Sequence, residues 1–92
     1  MMWTRTFTAH ADDNGKRTII TFYKEIPGGW KLDFRDAQGQ HVVNGDRWVE
    51  TLDDLVLQLG NYTQDDLTWR TEDEVSVSFY AAVKECILKS RA

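Results

Sequence analysis

Few residues of this 92-residue chain are of the types that carry out covalent chemistry. Nucleophilic catalysis needs a Ser, Cys or Thr beside a base and an orienting acid. The one cysteine, Cys86, falls between Val83 and Ile87 on an apolar stripe with helical spacing, where a buried thiol acts as a small apolar group. None of the serines lies in a Gly-x-Ser-x-Gly sequence, which presents a serine nucleophile on a sharp turn. The chain therefore offers no candidate nucleophile.

Sequence patterns for metal ions and cofactors are equally weak. His10 and His41 stand alone, whereas a zinc site needs His and Cys in closely spaced pairs. The Asp-Asp-Asn-Gly stretch at residues 12–15 begins like a calcium loop but lacks the closing glutamate. The Gly-Gly pair at Gly28 is too short to cradle a phosphate. We predict no metal, no cofactor and no enzymatic activity.

The composition predicts one folded domain that spans residues 1–92. Apolar residues make up 41% of the chain and charged residues 28%, a balance too apolar for a disordered segment. No apolar run reaches the length of a secretory signal or of a membrane span. A lone cysteine fits a reducing compartment. We expect a cytoplasmic protein without a membrane partner.

Residues 1–50 have the pattern of a sheet-forming half. Apolar residues alternate with polar ones in four stretches, residues 3–10, 17–24, 30–35 and 41–43. Turn sequences rich in Gly, Pro and Asn separate these stretches. Such short connections predict a four-stranded antiparallel meander, in which Trp3, Phe7 and Trp30 point inward.

Residues 51–92 have the pattern of an acidic helical half. Thr51 followed by Asp54 resembles a capping box, and apolar residues at helical spacing continue to Leu59. Gly60 then stands where a helix ends on a left-handed residue. We predict a first helix from Leu52 to Leu59.

The second helix is less clearly bounded. Thr71 and Glu74 form a capping box, and the apolar stripe that follows Val75 continues to Ile87. This favours a helix from the capping box onward. The alternative is a hairpin between residues 67–70 and 75–80 followed by a shorter helix, because the latter stretch alternates like a strand. The predicted fold class is α+β, with both C-terminal helices packed on one face of the sheet. Most of their extra apolar residues, such as Leu57, Tyr80 and Leu88, are expected to pack between the two helices.

Negative charge is concentrated in the second half of the chain. The net charge is −4, and residues 51–74 contain seven acids against the single cation Arg70. Acids in the first turn of a helix are stabilised by the helix dipole, which explains part of this run without any partner. If the helix starts gather at one end of the sheet, the same acids would attract a basic partner. The candidate partner-binding residues are Asp53, Asp54, Asp65, Asp66, Trp69, Glu72, Asp73 and Glu74.

These patterns favour a small non-catalytic acidic binding protein. We expect an inhibitor or adaptor that docks on a basic protein surface, such as the surface with which another protein binds nucleic acid, and blocks it by competition. Small acidic proteins that combine a sheet with helices and lack catalytic groups are common among phage or plasmid anti-defence and immunity proteins, which gives an analogy at the level of the fold. Trp69 is a candidate anchor for this contact, although a tryptophan at this position is as readily explained by burial in the core.

Two further functions stay open from the sequence. One is a homodimeric scaffold that uses a sheet edge or the extra apolar helix residues, among them Tyr80 and Leu88. The other is a weak nucleic-acid binder that uses Lys31, Arg35 and Tyr23 on the outer strand face. Direct binding of nucleic acid is not expected, because no basic stripe offsets the acidic excess.

Overall fold

The computed structural model describes residues 2–13, 15–64 and 67–90 of the chain. Within these residues, seven strands and two helices follow one another: β1 (Met2–Trp3), β2 (Phe7–Asp13), β3 (Lys16–Ile26), β4 (Trp30–Arg35), β5 (His41–Val49), α1 (Leu52–Leu59), β6 (Trp69–Arg70), β7 (Ser76–Val77) and α2 (Phe79–Ser90), with a 3₁₀ turn at Gly60–Thr63. The fold is α+β, with an antiparallel sheet and two helices at the C-terminal end of the chain.

The sheet contains the predicted meander but is larger than predicted. Its strand order is β5-β4-β3-β2-β6-β7, and β1 pairs with the end of β3. The prediction of four strands was therefore wrong, since β6 and β7 extend the sheet beyond β2 and the first predicted strand is divided into β1 and β2. Strand β5 also continues past its predicted end at residue 43, because a bulge opposite Phe34 restores its pairing with β4.

The division between β1 and β2 reverses the direction of Trp3. Trp3 is opposite Glu25, but Phe7 is opposite Phe22, so the first strand holds one residue more than β3 over this interval. Thr4 bridges the irregularity, because its side-chain oxygen accepts a hydrogen bond from the backbone N–H of Lys24 at 2.9 Å. A one-residue slip moves a side chain to the other face of a sheet. Trp3 therefore lies on the outer face, and its predicted inward position was wrong.

The core lies on one face of the sheet. The inward residues of β2, β3, β4 and β6 and the buried residues of both helices form one apolar cluster, which consists of Phe7, Ala9, Ala11, Ile20, Phe22, Trp30, Leu32, Phe34, Leu55, Leu59, Trp69, Phe79, Ala82, Val83 and Cys86. Phe22 lies at its centre, with its ring centroid 4.9 Å from that of Trp69 and 5.6 Å from that of Phe79. Both helices thus cover the same face, and the face that carries Tyr23 and Trp48 stays open.

Helix α1 has the bounds that its local sequence predicts. The Thr51 side chain accepts a hydrogen bond from the backbone N–H of Asp54 at 3.1 Å, which satisfies one of the free N–H groups at the helix start. Gly60 ends the helix with a φ of 56°, a left-handed conformation that glycine adopts without a side-chain clash. Leu55 and Leu59 are buried and connect the helix to the core.

The preferred prediction for residues 71–78 was wrong: they form part of a short hairpin, as in the alternative, but its strands are shorter than predicted and α2 already begins at Phe79. The Thr71 side chain accepts from the backbone N–H of Val75 at 3.1 Å, and the N–H of Glu74 bonds to the Thr71 carbonyl at 2.9 Å. Glu74 has a φ of 62°, which no helical residue has. The apparent capping box therefore closes the turn between β6 and β7. Helix α2 begins later, where the Ser78 side chain accepts from the N–H of Ala81.

The helices do not bury their extra apolar residues against each other. Helix α2 packs on β3, whereas α1 packs on β4 and β5. Leu57, Tyr80 and Leu88 remain exposed, so the expected helix-on-helix packing was wrong for these side chains. The reason is the hairpin, which places the start of α2 on the β2 side of the sheet, away from α1.

Candidate functional site

Three chain segments meet at one end of the sheet. The turn between β3 and β4 lies there, and the pairing of Trp30 with Val49 brings the end of β5 and the start of α1 to the same end. Strand β6 runs antiparallel to β2 through the pair Thr8 and Arg70, so the β6–β7 turn also lies at this end. We call it the acidic end, and it carries Glu25, Glu50, Asp53, Asp54, Glu72, Asp73, Glu74 and Glu85.

Asp53 and Asp54 lie at the acidic end because they form the first turn of α1. Both are exposed, and the positive end of the helix dipole lies beside them. Such an arrangement stabilises each carboxylate by about 0.3 to 1 kcal/mol without removing it from solvent. These two residues occupy the positions predicted for them.

Glu72, Asp73 and Glu74 reach the same end through the β6–β7 turn, not through a helix start. The Thr6 hydroxyl donates to Glu72 Oε1 at 3.0 Å, and Arg5 lies 3.6 Å from Asp73 Oδ2. These contacts hold the turn against the segment between β1 and β2. All three acids are exposed.

The two acidic groups flank the sheet and do not merge. Asp53 and Asp54 belong to α1, which packs on β4 and β5, whereas the β6–β7 turn lies at the opposite edge. A strand spacing of about 4.8 Å puts them about 15 to 25 Å apart. The Debye length at physiological salt is about 8 Å, so each group acts on a partner largely by itself.

Two other parts of the predicted site differ from expectation. Trp69 is fully buried against Phe22 and Phe79, so it belongs to the core, and its predicted role as a surface anchor was wrong. The physical reason is strand alternation, because Arg70 on β6 points outward and its neighbour must point inward. Asp65 and Asp66 lie outside the described residues.

Two cations at the acidic end, Arg5 and Lys24, have local partners. Arg5 donates from Nε to Glu85 at 2.6 Å and from a second nitrogen to the other carboxylate oxygen at 2.5 Å. This hydrogen bonding raises the pKa of Arg5 above its ordinary value. Lys24 donates to the Gly28 carbonyl at 2.6 Å. Lys89 is a further cation near this end, on the last turn of α2.

An apolar cleft lies between the two acidic groups, and sequence reasoning missed it. Met2, Trp3 and Ile26 form its apolar part, and the last turns of α2 contribute Glu85 and Lys89. Its volume is about 640 Å³, and we call it the end cleft. Trp3 lines the cleft at the edge of the sheet, but its ring lies on the outer face, edge-on to Tyr23 at 5.1 Å, and is 42% exposed. The exposed Met and Trp at the chain start were the available signal, but the bulge that turns Trp3 outward has no local signature.

The cysteine lies behind the end cleft and is inert. Cys86 is fully buried, and its Sγ donates to the Thr4 hydroxyl at 3.4 Å. Burial raises the pKa of Cys86, which lowers the fraction of reactive thiolate. This thiol contributes packing rather than nucleophilic chemistry.

The described residues contain no group of three or more His, Cys, Asp or Glu side chains arranged to hold a metal ion. In the same part of the chain, neither helix has the length and apolar character needed to cross a membrane. Comparison with protein families, with curated proteins and with solved structures finds no significant match to this chain. Its function is therefore inferred from geometry and charge.

Proposed function

We propose that the protein is a non-catalytic binding protein that docks its acidic end on a basic surface of a partner protein and blocks that surface by competition. The observation that carries this proposal is the exposure of five carboxylates at one end of the sheet, two on the first turn of α1 and three on the β6–β7 turn. Each of these two acidic groups attracts a partner surface of opposite sign and raises its association rate.

The end cleft provides an apolar contact surface, which the acidic residues by themselves do not provide. Protein interfaces commonly combine an apolar centre with a polar rim, and Trp, Tyr and Arg dominate their binding energy. Here Met2 and Trp3 lie between the acids of α1 and those of the β6–β7 turn. A long cationic side chain of the partner fits at this end, because its aliphatic part packs on the exposed Met2 while its charge meets the carboxylates of one acidic group.

Charge reversal at the acidic end is expected to weaken binding of the natural partner about five- to thirtyfold. The partner is first isolated by capture from the source cells, and the affinity for the purified partner is then measured by calorimetry at several salt concentrations. Reversing Asp53 with D53K removes an attraction of about 1 kcal/mol and adds a repulsion of similar size. Raising the salt concentration is expected to reduce the difference in partner affinity between D53K and the parent protein, because salt screens the charges.

The matched control is D12K, which changes the net charge by the same amount on an exposed side chain at the opposite end of β2. Equal weakening by D12K and D53K, or an affinity that does not depend on salt, would contradict docking through the acidic end. Circular dichroism of both variants separates lost binding from lost structure.

A homodimer is the second candidate, because α2 exposes two large apolar side chains on its outer side. Tyr80 is 70% and Leu88 is 56% exposed. If copies of the chain pair through this helix, light scattering at high concentration detects a dimer that Y80D and L88D return to the monomer. A monomer at all concentrations removes this candidate and leaves the acidic-end proposal untouched.

The nucleic-acid alternative gains little support from the open face of the sheet. Lys31 lies 3.4 Å from Asp46, and Arg35 lies 2.7 Å from Asp33. Tyr23 is only partly exposed and packs against Trp3. Each of these two cations therefore has an acidic neighbour, whereas a surface that follows a phosphate backbone needs an excess of positive charge.

A further inference from the structure

A second cleft lies on the open face at the edge of β2, and its lining is basic. We call it the edge cleft, and it is formed by Thr8, His10, Arg17, Leu67, Thr68 and Arg70. It exists because β6 is short and pairs with β2 only through Thr8 and Arg70. Beyond that pair β2 continues to Asp13 at the sheet edge, while residues 67 and 68 pass alongside and leave a space of about 380 Å³.

Strand alternation directs the polar side chains of three strands toward this cleft. Thr8 and His10 alternate with the buried Ala9 and Ala11 of β2, so they share the outer face. Arg17 of β3 and Arg70 of β6 belong to the same face through their pairing with β2. Two arginines thus line one small space, in a chain whose net charge is negative.

We propose that the edge cleft binds the phosphate group of a small organic phosphate monoester. Guanidinium groups recognise phosphate oxygens through paired N–H donors, and the hydroxyl of Thr68 adds another donor. The volume exceeds that of a phosphate ion and lies within the range of small-molecule sites, so the organic part also has room. This site lies apart from the acidic end and is independent of the function proposed above.

Acidic side chains compete only weakly with a ligand for Arg17 and Arg70. Arg17 lies 3.8 Å from Asp12, and both side chains are more than half exposed, so the pair is long and easily separated. Among the described residues, no carboxylate lies within ion-pair distance of Arg70. Arg70 therefore provides the principal charge for the ligand, and Arg17 provides the second.

The test is a titration of the full chain, followed by ¹H–¹⁵N NMR at low ionic strength, with three separate probes: inorganic phosphate, adenosine 5′-monophosphate and adenosine. We expect saturable shifts of residues around the cleft with the monophosphate, weaker ones with inorganic phosphate and none with adenosine. R70A is expected to lower the affinity for the monophosphate roughly tenfold or more, because a hydrogen bond between charged groups is lost. R70K is expected to bind the monophosphate more tightly than R70A but less tightly than the parent protein. Lysine keeps the positive charge but lacks the paired N–H donors of the guanidinium group.

The control is R35A, which removes the same charge from the same face of the sheet, from a residue that lies outside the cleft and pairs with Asp33. Equal loss of affinity in R35A and R70A would mean a diffuse charge effect and overturn the site. The absence of saturable shifts at millimolar monophosphate would overturn it as well. Tighter binding of adenosine than of inorganic phosphate would show that the organic group, not the phosphate, is recognised.

Discussion

Replacing Phe22 with alanine is expected to lower the free energy of unfolding by about 3 to 5 kcal/mol. Phe22 is fully buried, and its ring lies against Phe7 at 5.6 Å, Trp30 at 6.1 Å and Trp69 at 4.9 Å. It also lies against Phe79, so one side chain joins three strands to α2. Since domains of this size have a total stability of about 5 to 15 kcal/mol, F22A is expected to remove between about a fifth and all of it. Urea denaturation monitored by circular dichroism measures the loss.

Tyr23 is the matched control for Phe22, because it is the next residue of β3 and points to the open face. Its ring touches Trp3 and remains partly exposed, so Y23A is expected to cost about 1 kcal/mol. The milder variant F22L keeps most of the volume and is expected to cost less than about 2 kcal/mol, which keeps the effect measurable if F22A fails to fold. Equal losses in Y23A and F22A would mean that the core does not lie on one face only.

The G29A variant is expected to lower the free energy of unfolding by about 2 to 3 kcal/mol, because the added methyl group would overlap with neighbouring atoms. A Cβ at Gly29 would meet the main-chain carbonyl oxygen of Val49 and the Trp48 ring, the latter at 2.6 Å. The Val49 carbonyl belongs to β5, so it cannot retreat without moving that strand. The Gly29 carbonyl also accepts a hydrogen bond from the N–H of Glu25 at 2.9 Å, which fixes the turn from the other side.

The control for this overlap is G39N, which adds a Cβ in open space. Gly39 has a φ of 82°, a conformation that asparagine tolerates better than other side chains. We expect G39N to cost less than about 1 kcal/mol. The indole N–H signal of Trp48 is expected to shift in G29A and not in G39N. If both variants have the same stability and the same spectrum, the close approach of Gly29 to Trp48 is wrong.

Helix α1 was fully predictable because its determinants are local. The Thr51 cap, the apolar spacing and the terminal Gly60 act within one or two turns of the same helix. The structure of residues 71–78 was not predictable from the local sequence, since Thr71 and Glu74 suit a helix start and a tight turn equally well. Pairing of Trp69 with Val77 selects the turn, because it buries Trp69 in the core and continues the edge of the sheet.

The candidate site was predictable only in part, and for a similar reason. The acids near Asp53 and Asp73 were identified from composition, and the prediction that they meet a partner remains a prediction. The end cleft and the edge cleft were not foreseen. One depends on the outward turn of Trp3, and the other on the early end of β6 after Arg70.

The amino-acid sequence by itself determined the meander, the limits of α1, the inert cysteine and the negative charge of the second half. These properties arise between residues a few positions apart, where alternation, helical spacing and turn chemistry act directly. The tertiary structure alone decided which acids share one end of the sheet, which face Trp3 occupies and where Trp69 is buried. Those outcomes depend on contacts between distant segments, such as Arg5 with Glu85 and Thr6 with Glu72, and no local pattern specifies them.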